Sequence, residues 1–312
     1  MNLKLVREAD QRIRGHIQET PVMTSSSLNT ITGAEIFFKC ENLQRGGAFK
    51  IRGAMNAVLS MSDEELSGGV CTHSSGNHAQ ALAIAAAERG VSALIVMPKN
   101  APRAKREATA ARGAKITLCE ATAEDRERTL RKLQEETGAA FIHSYNDPRV
   151  IAGQGTVVLE LRQSVTDLHS IVVPIGGGGL ASGSCLSSGD VKVYAAEPEM
   201  ADDAYRSLKT GTLLGPRPAL TIADGLRMPL SERTFQILQE HLEEILLVSE
   251  EEILAAMRLL WERLKILVEP SGAASFAAVL RHKDVFAGKK VGIVITGGNV
   301  DLDAAALGRL FR

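Results

Sequence analysis

Short β-branched or apolar runs alternate along this chain with longer stretches of helical periodicity, and that alternation restricts the fold to parallel sheets covered by helices. The runs fall at 36–40, 69–72, 93–97, 115–118, 140–143, 170–175, 191–196 and 291–296. Helical periodicity marks 51–59, 78–89, 102–111, 123–136, 155–163 and 250–264. The expected fold class is α/β. At 312 residues the chain is long enough for one large α/β domain or two smaller ones, without an internal repeat, low-complexity tract or obvious linker. Three runs end in turns rich in Gly, Ser and Asn: Thr72-His-Ser-Ser-Gly-Asn, Pro174-Ile-Gly-Gly-Gly-Gly and Thr296-Gly-Gly-Asn. Ligands of open α/β sheets bind beyond the carboxyl ends of the strands, so these turns are the first candidates for a site.

Charge excludes some partners. Lys plus Arg (36) nearly balances Asp plus Glu (37), so no strong field draws the protein to nucleic acid or to an anionic membrane. A small neutral or zwitterionic partner fits better. Cys40, Cys71, Cys119 and Cys185 lie far apart, with no CxxC pair and no His at metal-ligand spacing. With no secretory signal and no apolar run long enough to span a bilayer, the expected setting is reducing and cytoplasmic.

The run Gly176-Gly177-Gly178-Gly179 follows a strand and precedes a segment of small residues. Its backbone N–H groups suit an anion beside a helix N-terminus, which makes it a candidate phosphate cup; a tight strand-to-helix turn is the plain alternative. No Gly-Lys-Ser/Thr follows it, and no acidic residue lies at the dinucleotide-binding distance, so neither a Walker loop nor NAD is indicated. Lys50 lies in Gly46-Gly-Ala-Phe-Lys-Ile-Arg-Gly-Ala, where Phe49, Ile51 and Arg52 could lower its pKa enough for Schiff-base chemistry. That window alone also fits a solvated lysine.

Seven motifs taken together narrow the reading. They are Ala48-Phe-Lys-Ile-Arg-Gly-Ala, Ser74-Ser-Gly-Asn-His-Ala-Gln, Ile151-Ala-Gly-Gln-Gly-Thr, the tetraglycine, Ala196-Glu-Pro, Ile222-Ala-Asp-Gly and Thr296-Gly-Gly-Asn-Val-Asp. In this order the chain resembles, over nearly its whole length, the serine/threonine dehydratase and serine racemase family. The resemblance implies the tryptophan-synthase-β-like fold of pyridoxal-phosphate (PLP) enzymes, fold type II, with two three-layer domains of mostly parallel sheets. A large PLP-binding domain would comprise 1–68 and 147–312, and a small mobile domain 69–146.

The resemblance also implies roles. Lys50 holds PLP and moves protons at the substrate α-carbon; Gly176, Gly177, Gly178 and Gly179 cup the cofactor phosphate; Asn77 contacts its ring hydroxyl; Thr296 faces the pyridine nitrogen. A hydroxyl there, unlike a carboxylate, does not force the nitrogen to be protonated, which favours loss of a β-substituent over longer-lived carbanion chemistry. A strand-end turn is the plain reading of Thr296. Ser75 resembles the serine that faces the α-carbon from the side opposite the lysine, as racemisation needs. Ser74, Ser75, Gly76, Asn77 and His78 would bind substrate, the helix start receiving its carboxylate. The plain alternatives are a helix cap by Ser75 or Asn77 and a packing role for His78. Arg126 matches a small-domain arginine that nears the substrate on closure, or is one more charge on a solvated helix. Glu197 and Asp203, with the Ala201 carbonyl, resemble the family's divalent-cation site, whose oxygen ligands suit Mg²⁺, Mn²⁺ or Ca²⁺; otherwise they belong to a solvated face.

Three departures mark this chain. The segment 180–190 is about one helical turn (~4 residues) shorter than in the family and rich in Ser and Gly, so a short or frayed helix is expected behind the cup. Ala48 replaces a serine, and Tyr145 an asparagine near the cofactor. The helix at 250–264 is expected to serve core or subunit packing. Because the chain ends at Arg312, no C-terminal regulatory domain is expected. The implied activity is β-elimination of L-serine, L-threonine or 3-hydroxyaspartate to a 2-oxo acid and ammonia, in a homodimer. Two alternatives stand beside it: a racemase on the same scaffold, and a catalytically silent PLP-binding protein.

Overall fold

Two sheets carry the chain. In the computed structural model, which describes residues 1–215, 217–302 and 308, the first sheet has the order β1-β2-β10-β7-β8-β9. Its strands are β1 (Val22–Met23), β2 (Glu35–Cys40), β7 (Ser170–Pro174), β8 (Lys192–Pro198), β9 (Glu244–Val248) and β10 (Lys290–Ile295). Only β1 runs antiparallel to its neighbour. The second sheet, β5-β4-β3-β6, is wholly parallel and consists of β3 (Val70–His73), β4 (Ala93–Pro98), β5 (Lys115–Cys119) and β6 (Ala140–Phe141).

The helices are α1 (Leu3–Ile13), α2 (Ser26–Thr32), α3 (Lys50–Leu59), α4 (Asn77–Arg89), α5 (Arg103–Ala110), α6 (Ala123–Thr137) and α7 (Pro148–Ser164). They continue with α8 (Gly179–Ser187), α9 (Asp203–Thr210), α10 (Glu232–His241), α11 (Glu250–Leu259), α12 (Pro270–Arg281) and α13 (Lys283–Phe286). The stretch expected as one helix at 250–264 is α11 followed by a π turn at Leu260–Leu264, and its Ile253, Met257, Leu260 and Leu264 are buried in the core.

Side chains alternate across each strand, so both faces of both sheets are covered, as parallel sheets require. In the first sheet Val172, Ile293 and Leu246 join the core under α11 and α12. Ile171, Val173 and Val294 join the opposite core, under α7, α8 and α10. In the second, Val70 and Ile95 pack with α3 and α4, while Cys71, Leu94 and Val96 pack with Leu130 and Leu133 of α6. Each sheet is thus the middle of three layers. Helix α3 packs into the core of the second sheet although it precedes that sheet in sequence.

The short helix behind the tetraglycine is neither frayed nor exposed. Every residue of α8 is buried. Its Ser and Gly content follows from a close approach to α7: a Cβ on Gly183 would stand 2.5 Å from the Ile151 carbonyl oxygen, and one on Gly155 2.6 Å from that of Gly183. Ser187 Oγ donates within the same contact to the Gly155 and Gly183 carbonyls, both at 2.9 Å. The Ile151-Ala-Gly-Gln-Gly-Thr motif is therefore a packing device.

Candidate active site

Lys50 is the first residue of α3 and lines a cavity of about 670 Å³ at the carboxyl ends of strands from both sheets. Two positions on, Arg52 is fully buried and forks between Glu41, at 2.7 and 2.8 Å, and Glu160, at 2.6 and 2.8 Å. Lys39 Nζ donates to the same Glu160 at 2.7 Å. This closed ionic cluster pins the first turn of α3. It also corrects one expectation: Arg52 is committed to carboxylates and is not what lowers the basicity of Lys50. Burial does that, bringing the ammonium down to about 8 from an ordinary 10.5, against the Glu269 carboxylate, which raises it. Lys50 Nζ donates to the Ser144 carbonyl oxygen at 3.3 Å and sits 5.1 Å from the Phe49 ring centroid.

Gly176 to Gly179 line the same cavity between the end of β7 and the start of α8. Among the described residues, none of their four backbone N–H groups donates a hydrogen bond. Gly178 has a left-handed φ of +83°, and a Cβ on Gly177 would lie 2.5 Å from the Tyr145 ring. Only glycine fits both places. The resemblance implies a position near the cofactor for Tyr145, and in the structure its ring is the wall of this cradle.

The turn after β3 brings Ser74, Ser75, Gly76, Asn77 and His78 to the cavity. The plain alternative, a helix cap by Ser75 or Asn77, is absent: Gly76 holds the N-cap position of α4 without a side-chain cap, and Ser74 Oγ accepts the Gly76 N–H at 3.3 Å. Among the described residues the N–H groups of Ser75, Asn77 and His78 make no hydrogen bond, and neither does the Ser75 hydroxyl. These donors remain open for a carboxylate. His78 Nε2 lies 3.1 Å from the Ile142 carbonyl, Nδ1 is buried without a partner, and burial followed by Lys50 pulls the ring's pKa down to about 3. It stays a neutral imidazole. Arg126 lines the cavity half-buried, and its guanidinium makes no hydrogen bond or ion pair among the described residues. Arg227 also lines the cavity but bonds the Thr221 carbonyl, while Arg149 is turned to Asp147.

Thr296 ends the strand β10 region, buried, with its backbone carbonyl accepting from Phe49 N–H at 3.0 Å. Asn77 Nδ2 donates to Glu269 Oε1 at 2.8 Å, and its Oδ1 accepts from Asn299 Nδ2 at 2.9 Å. Glu269 was not legible as a site residue. It is the N-cap position of α12, and burial, followed by the Asp224 carboxylate, raises it to about 7. Its only sequence signal is a Glu-Pro pair opening a helix, which most often reads as favourable end charge. Lys105 was missed too; it reaches from α5 to Asp224 across the cavity mouth.

Glu197 lies near the end of β8, buried, and its carboxylate accepts the N–H of Ala204 at 2.9 Å and of Tyr205 at 2.7 Å at the start of α9. Asp203, the first residue of that helix, and Ala201 are buried beside it in sequence. Burial raises both carboxyls, Glu197 well above its ordinary value. Neither has a salt-bridge partner among the described residues, where no group of three or more His, Cys, Asp or Glu side chains is placed to hold a metal. Among them, too, no helix is long and apolar enough to cross a membrane.

Residues 13–297 match the family model described as pyridoxal-phosphate dependent enzyme. This chain belongs to that family. It is 50% identical over 299 residues to the β-hydroxyaspartate dehydratase of Paracoccus denitrificans, covering 95% of each chain. It is 48% identical over 312 residues to the serine racemase of Dictyostelium discoideum, covering 97% of this chain and 96% of that one. The structure of maize serine racemase superposes with a TM-score of 0.96 at 42% identity, covering 99% of this chain and 96% of that one. The fold is therefore that of fold type II PLP enzymes. The cavity fits the cofactor of this family on its own evidence: the four glycines that line it have N–H groups unclaimed among the described residues, and it holds one amine of depressed basicity.

Proposed function

We propose that this enzyme eliminates water from a small β-hydroxy amino acid and releases a 2-oxo acid and ammonia. The observation that carries the reading is the meeting, in one cavity, of the Lys50 amine, the open N–H groups of the glycine cradle and the open start of α4. Pyridoxal phosphate, when bound, supplies the electron sink for negative charge at the substrate α-carbon. Gly176, Gly177, Gly178 and Gly179 would hold its phosphate, Asn77 its ring hydroxyl and Thr296 its ring nitrogen. The N–H groups of Ser75, Asn77 and His78 would orient the substrate carboxylate. Lys50, once free as an amine, would take the α-proton and return it to the departing β-hydroxyl, which leaves as water; the released enamine then tautomerises to an imine and takes up water, giving the 2-oxo acid and ammonia.

Arg126 favours a substrate with a second carboxylate. An unpartnered guanidinium at the cavity wall has its charge unanswered until an anion arrives, so 3-hydroxyaspartate is preferred over serine or threonine. Racemisation is the second reading, favoured by the uncommitted Ser75 hydroxyl. We further propose that 69–146 forms the smaller, mobile domain against 1–68 and 147–312. The enzyme would be a cytoplasmic homodimer. A divalent cation (Mg²⁺, Mn²⁺ or Ca²⁺) would join Glu197, Asp203 and the Ala201 carbonyl, and its task would be to neutralise buried carboxylates away from the chemistry. The deciding experiment is a panel of β-hydroxy amino acids scored for ammonia, 2-oxo acid and enantiomer. Release of ammonia from 3-hydroxyaspartate is expected; a holoenzyme that turns over none of them is a silent PLP-binding protein.

A further inference from the structure

One titratable side chain beside Lys50 has no task in this reaction. His143 follows β6 and leads into the turn formed by Ser144, Tyr145 and Asn146. Its Nδ1 accepts the backbone N–H of Tyr145 at 3.3 Å and that of Asn146 at 3.1 Å. An imidazole nitrogen accepts only without a proton, so the ring carries its hydrogen on Nε2. Burial, then His73, then Lys50 bring its pKa down to about 4, with Asp147 opposing, and the ring stays neutral. Among the described residues those two N–H groups have no other acceptor. The ring also meets Tyr145 edge-on, with centroids 4.5 Å apart.

The turn that His143 holds reaches the site at three points. Ser144 supplies the carbonyl that accepts from Lys50 Nζ at 3.3 Å. Tyr145 backs the cradle, since a Cβ on Gly177 or Gly179 would lie 2.5 or 2.8 Å from it. Asn146 Oδ1 accepts from Ser231 Oγ at 2.9 Å; Ser231 is the N-cap of α10, whose Thr234 would stand 2.9 Å from a Cβ on Gly178. The His143 lone pair thus anchors from within the turn that stands behind both the lysine and the phosphate cradle, while Ser231 and Arg233 of the α10 end hold only its last residue, Asn146.

We propose that His143 is a positioning residue for the cofactor site: its unprotonated Nδ1 fixes the 144–146 turn, and through it the direction of the Lys50 amine and the Tyr145 wall of the cradle. The inference rests on the reading that Lys50 and the cradle hold pyridoxal phosphate. Packing alone needs only the volume of a ring. The hydrogen-bond pattern needs an acceptor.

The test titrates apo protein with pyridoxal phosphate, following the visible band of the lysine-bound cofactor, for wild type, His143→Asn and His143→Leu. Asparagine offers an oxygen to N–H groups two and three residues on, whereas leucine only fills space. His143→Leu is expected to raise the PLP dissociation constant on the order of tenfold and to shift the band, while His143→Asn stays within about threefold of wild type. Equal PLP binding by His143→Leu and wild type would overturn the proposal. So would equal losses in both variants that track a lower apo melting temperature. If His143→Leu does not fold, ¹⁵N-histidine spectra of the wild-type apo protein decide: a bare Nδ1 with hydrogen on Nε2 at neutral pH is expected, and a protonated Nδ1 refutes it. Lys50→Ala separates the two layers. A visible band that persists there sinks the cofactor reading itself, whereas its loss beside an unaffected His143→Leu sinks the positioning role alone.

Discussion

Raising the pH of the apo enzyme through the titration of Lys50 tests the electrostatics of the site directly. At pH 7 an ordinary lysine of pKa 10.5 has about one amine in three thousand unprotonated, whereas one held at about 8 has about a tenth, a gain of ~300-fold in nucleophile. The rate at which apo protein captures pyridoxal phosphate should therefore climb about tenfold per pH unit below 8 and flatten above it. Stopped-flow growth of the visible band, with Lys50→Ala as the blank, measures this. Glu269→Gln preserves an acceptor for Asn77 but removes the charge that raises Lys50, so its midpoint should fall below that of wild type. Comparing the two proteins cancels the cofactor's own titration. The same shift has a stability signature. The folded value lies below the unfolded one, so between about 8 and 10.5 the unfolded chain binds more protons, and this group's contribution to stability rises with pH through that window. A capture rate still climbing between pH 9 and 10.5, or a Glu269→Gln midpoint above wild type, would refute the reasoning.

Gly177→Ala should weaken pyridoxal phosphate binding by about tenfold or more, because overpacking the Tyr145 ring at 2.5 Å costs about 1–3 kcal/mol; cofactor titration of the apo variant checks it. Arg126→Ala should raise KM for 3-hydroxyaspartate by about tenfold or more while changing that for serine less, since a charge-assisted bond contributes about 1.5–3 kcal/mol; steady-state kinetics on both substrates decide. Ser75→Ala should keep elimination from the L-substrate and lose racemisation and elimination from the D-substrate, with the melting temperature unchanged because Ser75 caps no helix. Equal loss of all three activities would leave a one-base dehydratase. Chelation should lower thermal stability, with Mg²⁺ or Mn²⁺ restoring it; indifference of metal-free protein to added cation would remove the Glu197 and Asp203 site.

The sheets were legible wherever strands were bounded by turn residues, and the site wherever a motif sat at the end of such a strand. Asn77, Thr296 and the glycines are of this kind; Lys50, ten residues beyond the end of β2, was legible only through the motif around it, and all of them line one cavity. What escaped did so for identifiable reasons. Helix α12 is buried along nearly its whole length and is built largely of Ala, Gly and Ser, so no apolar stripe stands out. Strand β9 reads Glu-Ile-Leu-Leu-Val, a continuous apolar run that periodicity cannot separate from a buried helix. Glu269 and Lys105 are single charges whose meaning depends on partners 192 and 119 residues away, Asn77 and Asp224.

Arg52 illustrates the limit most clearly, because its place in the sequence invited the wrong inference. A cation two residues from a lysine reads as a neighbour that depresses its basicity. In the fold it faces inward, where its charge and that of Lys39 answer those of Glu41 and Glu160. Buried ion clusters of this kind add little net stability over an apolar core, yet losing one member leaves uncompensated charge and costs about 3–5 kcal/mol. What the cluster supplies is register. Its bonds reach strand β2 through Lys39, the turn after it through Glu41 and helix α7 through Glu160, so the first turn of α3 has one permitted position. A Lys50 amine that must meet both a cofactor and a substrate α-carbon needs that constraint at its backbone, and small residues or solvent could not provide it.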